Sequence, residues 1–209
     1  MRPSIPPLHV ITSDAVVARD DFLAQARRII EAGGPFLSFH LRAPHASGRR
    51  LYEMARALRD PVYAADGWLL VNDRVDVALA AGADGVHLGA RGLRAADARR
   101  LLGPDHLMGV SVHSAEEARA AHADGADFVL AGTIWETPSH PGRPGGGAAL
   151  LREIAGSIQR PAVAIGGVTP ERVAEARAAG AWGMAVIRGV WDAPDPAAAV
   201  DAYLKHWKG

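Results

Sequence analysis

Residues 160–189, RPAVAIGGVTPERVAEARAAGAWGMAVIRG, read as strand, glycine pair, helix and strand. Ala162–Ile165 is short and apolar, which suits a parallel strand buried on both faces. Gly166-Gly167 follows at once, and Thr169-Pro170-Glu171 then opens a helix with a capping hydroxyl, a proline in the first turn and an acid behind it. That helix ends at Ala179-Gly180, and residues 183–187 return as a second buried strand. Two glycines at the C-terminal end of a strand let backbone N–H groups approach a ligand closely, and anions are the usual guest. The fold turns on whether these two strands are the last of a closed set.

Working outward, the chain repeats the same unit. Strands are predicted at residues 8–12, 36–42, 68–72, 85–89, 107–112 and 128–132, ahead of the two already read. Helices are predicted at 21–32, 48–59, 75–81, 94–102, 114–123, 148–158 and 196–207, in addition to the one after the glycine pair. Ser114 with Glu117 makes a capping box. An internal echo, AAGADGVHLG at 80–89, HADGADFVLAG at 122–132 and AAGAWGMAVIRG at 178–189, marks helix end, tight turn and strand each time. Eight strands alternating with eight helices fit a single (βα)8 TIM barrel over residues 1–209. An open doubly wound sheet is the rival, but the short connections leave no room for a second lobe. The opening stretch then supplies strands seven and eight, whose loops commonly hold phosphate in such barrels.

Composition narrows the function. At 209 residues, 49% of them apolar, the chain is long enough to bury a large core. Lys plus Arg and Asp plus Glu both number 23, so no net basic charge argues for nucleic acid. The absence of cysteine excludes disulfides, thiolate metal sites and cysteine nucleophiles together. The start, MRPSIPPLHV, lacks the apolar core of a signal peptide, and no apolar run is long enough to span a bilayer, so a cytoplasmic protein without membrane partners is expected.

Polar residues gather at the predicted strand C-termini, where a barrel carries its active site. In FLSFHLR, alternation puts Phe36, Ser38, His40 and Arg42 on the inward face and Leu37, Phe39 and Leu41 under the helices. An inward Arg42 requires an anionic ligand or an internal acid. Asn72-Asp73 reads either as a cap on the next helix or as a ligand or metal contact. Ser111, His113 and Thr133 follow on later strand ends, whereas His87 reads as a core histidine. The stretch TIWETPSHPGRPGGG, residues 133–147, is the longest loop; Thr137, Ser139, His140 and Arg143 give it a polar reach over the mouth. Nine histidines without an HExxH or H-x-H spacing argue against zinc. Near the C-terminus Trp191, Tyr203 and Trp207 seal either the barrel or a partner's surface, as in a homodimer.

The blocks FHLR, VNDRVDVALAAGADGVHLG, LLGPDHLMGVSVHSAEEA, ADFVLAGTIWET and AVAIGGVTPERV, in this order over essentially the whole chain, resemble the thiamine-phosphate synthase superfamily, including its TenI-like branch of thiazole tautomerases. The resemblance implies a (βα)8 barrel whose ligand is a phosphorylated thiazole, with the phosphate held by Gly166 and Gly167 and by backbone near Ile187 and Arg188. A synthase also holds a magnesium pyrophosphate leaving group, so Mg²⁺ and its ligand Asp73 are expected only in that case. Against the synthase pattern, Pro44 and His140 stand where lysines are expected, and Ala90-Arg91-Gly92 lacks a second acid.

On those departures the resemblance favours a metal-independent, cofactor-free tautomerase, which moves protons on a carboxylated thiazole phosphate. Its markers are His40/Arg42, Ser111–Ser114 and Trp135-Glu136-Thr137. The branch's catalytic histidine falls on Thr133, so His140 and His113 are the replacement candidates. His40, Arg42, Asn72, Ser111, Thr137 and Ser139 then line the substrate, with Arg42 on its carboxylate. A binder that keeps the phosphate grip without the chemistry is the further alternative.

Overall fold

Eight parallel strands close on themselves in sequence order in a computed structural model that describes residues 5–137, 142 and 144–208. They are β1 (Leu8–Ile11), β2 (Leu37–Leu41), β3 (Trp68–Asn72), β4 (Gly85–Leu88), β5 (Leu107–Val112), β6 (Phe128–Ala131), β7 (Ala162–Ile165) and β8 (Gly183–Val186). Closure is made by β8 on β1, with Ala185 opposite His9. The (βα)8 reading therefore holds, and the glycine pair follows β7.

The helices wrap this barrel as α1 (Asp14–Val17), α2 (Phe22–Gly33), α3 (Gly48–Ala64), α4 (Val75–Ala81), α5 (Ala95–Leu102), α6 (Ala115–Ala123), α7 (Gly147–Ser157), α8 (Val173–Ala178), α9 (Arg188–Trp191) and α10 (Pro196–Lys208). The short α1 and α9 lie beyond the eight expected. Ser114 caps α6 by accepting the Glu117 N–H, but the capping box closes one residue early, since the Glu117 carboxylate accepts from the His113 N–H rather than from Ser114. Ahead of α8, Pro170–Arg172 forms a 3-10 turn, and the Thr169 side chain makes no capping bond to the backbone.

One expectation on β2 fails. Phe36 does not face the barrel interior, because Gly34–Phe36 is a 3-10 turn and β2 begins only at Leu37. Its ring is 40% exposed, with the Lys208 ammonium 4.1 Å above it. The rest of the alternation holds: Ser38 and His40 are buried inside, and Leu37, Phe39 and Leu41 belong to the outer core under the helices.

Ile11, Leu70, Leu107, Phe128, Leu130, Val163 and Ala185 fill the barrel. Phe128 reaches the centre only because position 109 is glycine; a Cβ there would overlap its ring. Trp191 and Tyr203 belong to this chain's own core, with Trp191 Nε1 donating to the Ile11 carbonyl at 3.0 Å. Trp207, the third aromatic residue read as a seal, is half-buried and packs against the same core.

Candidate active site

The mouth is built at the C-terminal strand ends, and its two sides differ. On the β7–β8 side the turn after β7 places Gly166 at φ +95° and Gly167 at φ +63°, a region closed to most side chains. The Gly166 carbonyl accepts the Trp135 N–H at 3.0 Å, and the Gly167 carbonyl accepts Arg172 Nη1 at 2.6 Å. Both carbonyls are thus tied outward, while neither glycine N–H enters a backbone hydrogen bond among the described residues. Next to it Ile187 is half-buried, and Arg188 begins α9, so the first N–H groups of that helix lack intrahelical acceptors. Amides without backbone acceptors at two adjacent strand ends have the chemistry an anion cradle needs, and this stretch is termed the cradle on that ground.

Thr133 is part of the support of this cradle. A Cβ added at Gly166 would lie 2.5 Å from the Thr133 methyl, so Thr133 packs its methyl against the turn. His113 is exposed; its Nδ1 bonds the Gly132 carbonyl, and its backbone N–H bonds Glu117 Oε2. A carbonyl only accepts, so Nδ1 carries hydrogen and Nε2 is what remains for a ligand. Thr137 is buried. Ser139 and His140 lie outside the described residues.

On the β2–β4 side, Arg42 is half-buried, and among the described residues its guanidinium has no hydrogen bond or ion pair. Its backbone is fixed instead: the Arg42 N–H donates to Thr12 Oγ1, and Thr12 Oγ1 donates to the Arg42 carbonyl, both at 2.8 Å. The acid that feels the Arg42 charge through space is Asp14, but it is hydrogen-bonded by His45 and forms no ion pair with Arg42.

Asp73 does not cap α4, whose N-cap is Arg74. With φ at +62° its carboxylate turns to the next strand end, where Oδ1 accepts the Gly89 N–H at 2.7 Å. The 89–92 loop folds against it, for a Cβ at Gly92 would lie 2.9 Å from the same oxygen. Arg91 in that loop is exposed.

Beneath the mouth the interior is polar. Asn72 is 9% exposed, Ser111 is half-buried, and His87 Nε2 lies 2.8 Å from Ser111 Oγ. His40, expected on the substrate, is fully buried below them, with Nε2 2.8 Å from Nδ1 of His9. Burial together with the neighbouring imidazoles holds His40 well below the usual histidine range. It lowers His9 and His87 each to about 3, aided at His9 by His87 and at His87 by the Arg42 charge. His40 is therefore a neutral group supporting the floor. Thr12, His9 and the Arg172–Trp135 stack (5.4 Å) were not among the expected site residues. His9 alone left a signal, since it shares its strand phase with Ile11 in LHVI.

Residues 8–190 match the family model described as TMP-TENI, thiamine monophosphate synthase. The chain belongs to this family. It is 43% identical, over 92% of its length, to a thiamine-phosphate synthase of Methanoculleus marisnigri and spans 90% of that protein. It is 49% identical over 154 residues to the bifunctional ThiM/ThiE protein of Symbiobacterium thermophilum, of which it spans 32%. Among solved structures, a thiamine phosphate pyrophosphorylase from Pyrococcus furiosus superimposes with a TM-score of 0.86 at 34% identity, covering 97% of this chain and 95% of that one. The Methanoculleus relative carries a synthase name and the Pyrococcus structure a pyrophosphorylase name, so the isomerase reading loses its lead to a transferase. No helix among the described residues is long and apolar enough to cross a membrane.

Proposed function

We propose that this chain is a thiamine-phosphate synthase, joining a thiazole phosphate to a hydroxymethylpyrimidine diphosphate with release of pyrophosphate. The observation that carries the reading is the two-sided mouth. A tautomerase would use one phosphate station and Arg42 for the ring carboxylate, whereas a synthase must hold a monophosphate and, with Mg²⁺ on a carboxylate such as Asp73 through its Oδ2, a diphosphate. The amide cradle at Gly166-Gly167 serves the first, and the unpaired Arg42 serves the second.

In the reaction the pyrimidine methylene carbon loses its C–O bond to diphosphate and gains a C–N bond to the thiazole nitrogen. Negative charge accumulates on the departing diphosphate, and fixed cations stabilise that charge most when held in place beforehand. The Thr12 clamp on the Arg42 backbone supplies such fixing. Arg91 adds a guanidinium in the loop folded against Asp73, where the family pattern carries an acid. The lysine positions taken by Pro44 and His140 are thereby offset in part by Arg91.

A Mg²⁺ ion fits this site as a guest of the diphosphate. Magnesium keeps several waters and needs only one or two carboxylates beside substrate phosphates. Asp73 offers one: Oδ1 is engaged by Gly89, and Oδ2 has no partner among the described residues. When bound, the ion neutralises leaving-group charge. Among the described residues no group of three His, Asp or Glu forms a resident metal cage. That lone carboxylate is what keeps the metal-free thiazole tautomerase as the second reading.

Pyrophosphate release from the two substrates, with and without Mg²⁺, tests the proposal. Mg²⁺-dependent release is expected. Thiazole phosphate binding with tautomerisation and no release would replace the synthase by the second reading, and binding with neither would leave a non-catalytic binder.

A further inference from the structure

The turn after β7 is oriented by two donors that come from one side. The Trp135 N–H donates to the Gly166 carbonyl at 3.0 Å, and Arg172 Nη1 donates to the Gly167 carbonyl at 2.6 Å. The half-buried Arg172 guanidinium lies over the Trp135 ring, 5.4 Å from its centroid. A planar guanidinium can stack and donate at once, which an ammonium does less well. Gly167 itself packs on Trp135, since a Cβ there would lie 2.8 Å from Trp135 Cβ. Two consecutive carbonyls are therefore drawn to the Trp135 side.

In a trans peptide the carbonyl and the following N–H point in opposite directions, and both peptides of this turn are trans. The bond from Trp135 thus turns the Gly167 N–H away from Trp135, and the bond from Arg172 turns the Val168 N–H the same way. Successive N–H groups on one side form a concavity that takes an anionic oxygen.

Val168 shows why its N–H matters. The residue is only 7% exposed, its side chain lies in the core under the helices, and its carbonyl accepts the Tyr203 hydroxyl at 3.0 Å. Its N–H has no acceptor among the described residues. Backbone N–H groups in buried residues are almost always paired, so an orphan donor at the C-terminal end of a barrel strand calls for a ligand.

We propose that Arg172 is a positioning residue for the ligand's phosphate: by holding the Gly167 carbonyl it aims the Val168 N–H, a further donor of the cradle beside Gly167. This rests on the phosphate station of the function proposed above, which the synthase and tautomerase readings share.

The parent chain alone tests Val168. Thiazole phosphate is titrated into the full ¹⁵N-labelled chain, and unphosphorylated thiazole into a second sample. The Gly167 and Val168 amide protons should both move downfield with the phosphorylated compound only. Movement of Gly167 without Val168 would overturn the proposal and leave the phosphate station standing. Movement of neither would remove the station, and the proposal with it.

Arg172→Met, which keeps an apolar stem over Trp135 and loses the donor, tests the positioning. Its Kd for thiazole phosphate, by titration calorimetry, should rise about tenfold, with that for unphosphorylated thiazole unchanged. Arg172→Lys, whose ammonium can still donate to a carbonyl, should recover most of the loss. The ratio of Met to parent Kd should be the same at low and high salt, because a bond that sets geometry is not screened, whereas a charge acting on phosphate through space is. A parent-like Kd in Arg172→Met, an equal loss of both thiazoles, or a ratio that collapses at high salt would overturn the positioning role.

Discussion

The Tyr203 hydroxyl donates to the Val168 carbonyl at 3.0 Å, directly behind the Gly166-Gly167 turn. The same oxygen closes over Gly189, where an added Cβ would meet it at 2.3 Å. One side chain of α10 therefore holds both halves of the anion cradle, the turn after β7 and the start of α9. Burial pushes its phenol up to about 12, so it stays a donor throughout the working pH range. Tyr203→Phe removes one oxygen and one hydrogen bond, at about 1 kcal/mol of stability. The Kd for thiazole phosphate, measured by titration calorimetry, should rise several-fold, and that for the unphosphorylated thiazole should not change. A parallel weakening of both ligands would mean that Tyr203 supports the barrel generally rather than the cradle.

Gly166→Ala is a harsher change at the same place. It forces a side chain into φ +95° and against the Thr133 methyl and Cα. Strain and overlap together should cost about 2–3 kcal/mol, visible as a lower Tm in thermal unfolding. Phosphate affinity should be lost as well, because any relief of the overlap rotates the turn amides. An unchanged Tm would show that the turn relaxes freely and that its geometry is not held by the 133–136 segment.

Arg42 should show the reverse pattern. With no hydrogen bond or ion pair among the described residues and only a through-space attraction to Asp14, its guanidinium contributes little to the fold, and Arg42→Ala should leave stability within about 0.5 kcal/mol. The KM for the pyrimidine diphosphate should rise by about tenfold or more, since a charge-assisted bond to phosphate is lost. Arg42→Lys should recover only part of that, because an ammonium cannot bind two oxygens in one plane. A large fall in Tm for Arg42→Ala would mean that the charge is used internally.

How far the sequence discloses this molecule depends on whether the deciding contacts are local. Helix 75–81 and strands 68–72, 107–112 and 162–165 are read to the residue, because Asn-Asp, Gly and capping residues punctuate their ends. Phe36 is misplaced by the same rule, since alternation carried one residue past Pro35 predicts strand where the Gly-Pro pair winds a 3-10 turn. The inward phase of Ser38 and His40 is legible within one strand. That His40 meets His9, 31 residues away, follows from the stagger of the closed barrel, which no local pattern encodes. The chemistry was harder still. Missing lysines and a missing acid were legible as losses, whereas the open state of Arg42 and the rotation of Asp73 toward Gly89 exist only in three dimensions.

The buried histidines also set how the fold responds to acid. His9 and His87 fall from an ordinary value of 6.5 to about 3 in the folded chain, and His40 falls as well, so between those limits the unfolded chain binds more protons than the folded one. Stability must then rise with pH across this window; it is complete above pH 6.5 and is lost as pH falls toward 3. At pH 5.5 each such histidine costs about 1.4 kcal/mol, so His9 and His87 together remove about 3 kcal/mol. Carboxylates are still ionised there, which leaves the histidines as the main titrating groups. Urea unfolding at pH 7.5 and pH 5.5 should show this loss with an unchanged m-value. In His9→Gln the loss should shrink by about 1.4 kcal/mol, because one of the protons taken up on unfolding has no site. A stability that is flat from pH 7.5 to 5.5 would mean that the imidazoles protonate inside the barrel, and the neutral floor beneath Asn72 would have to be abandoned.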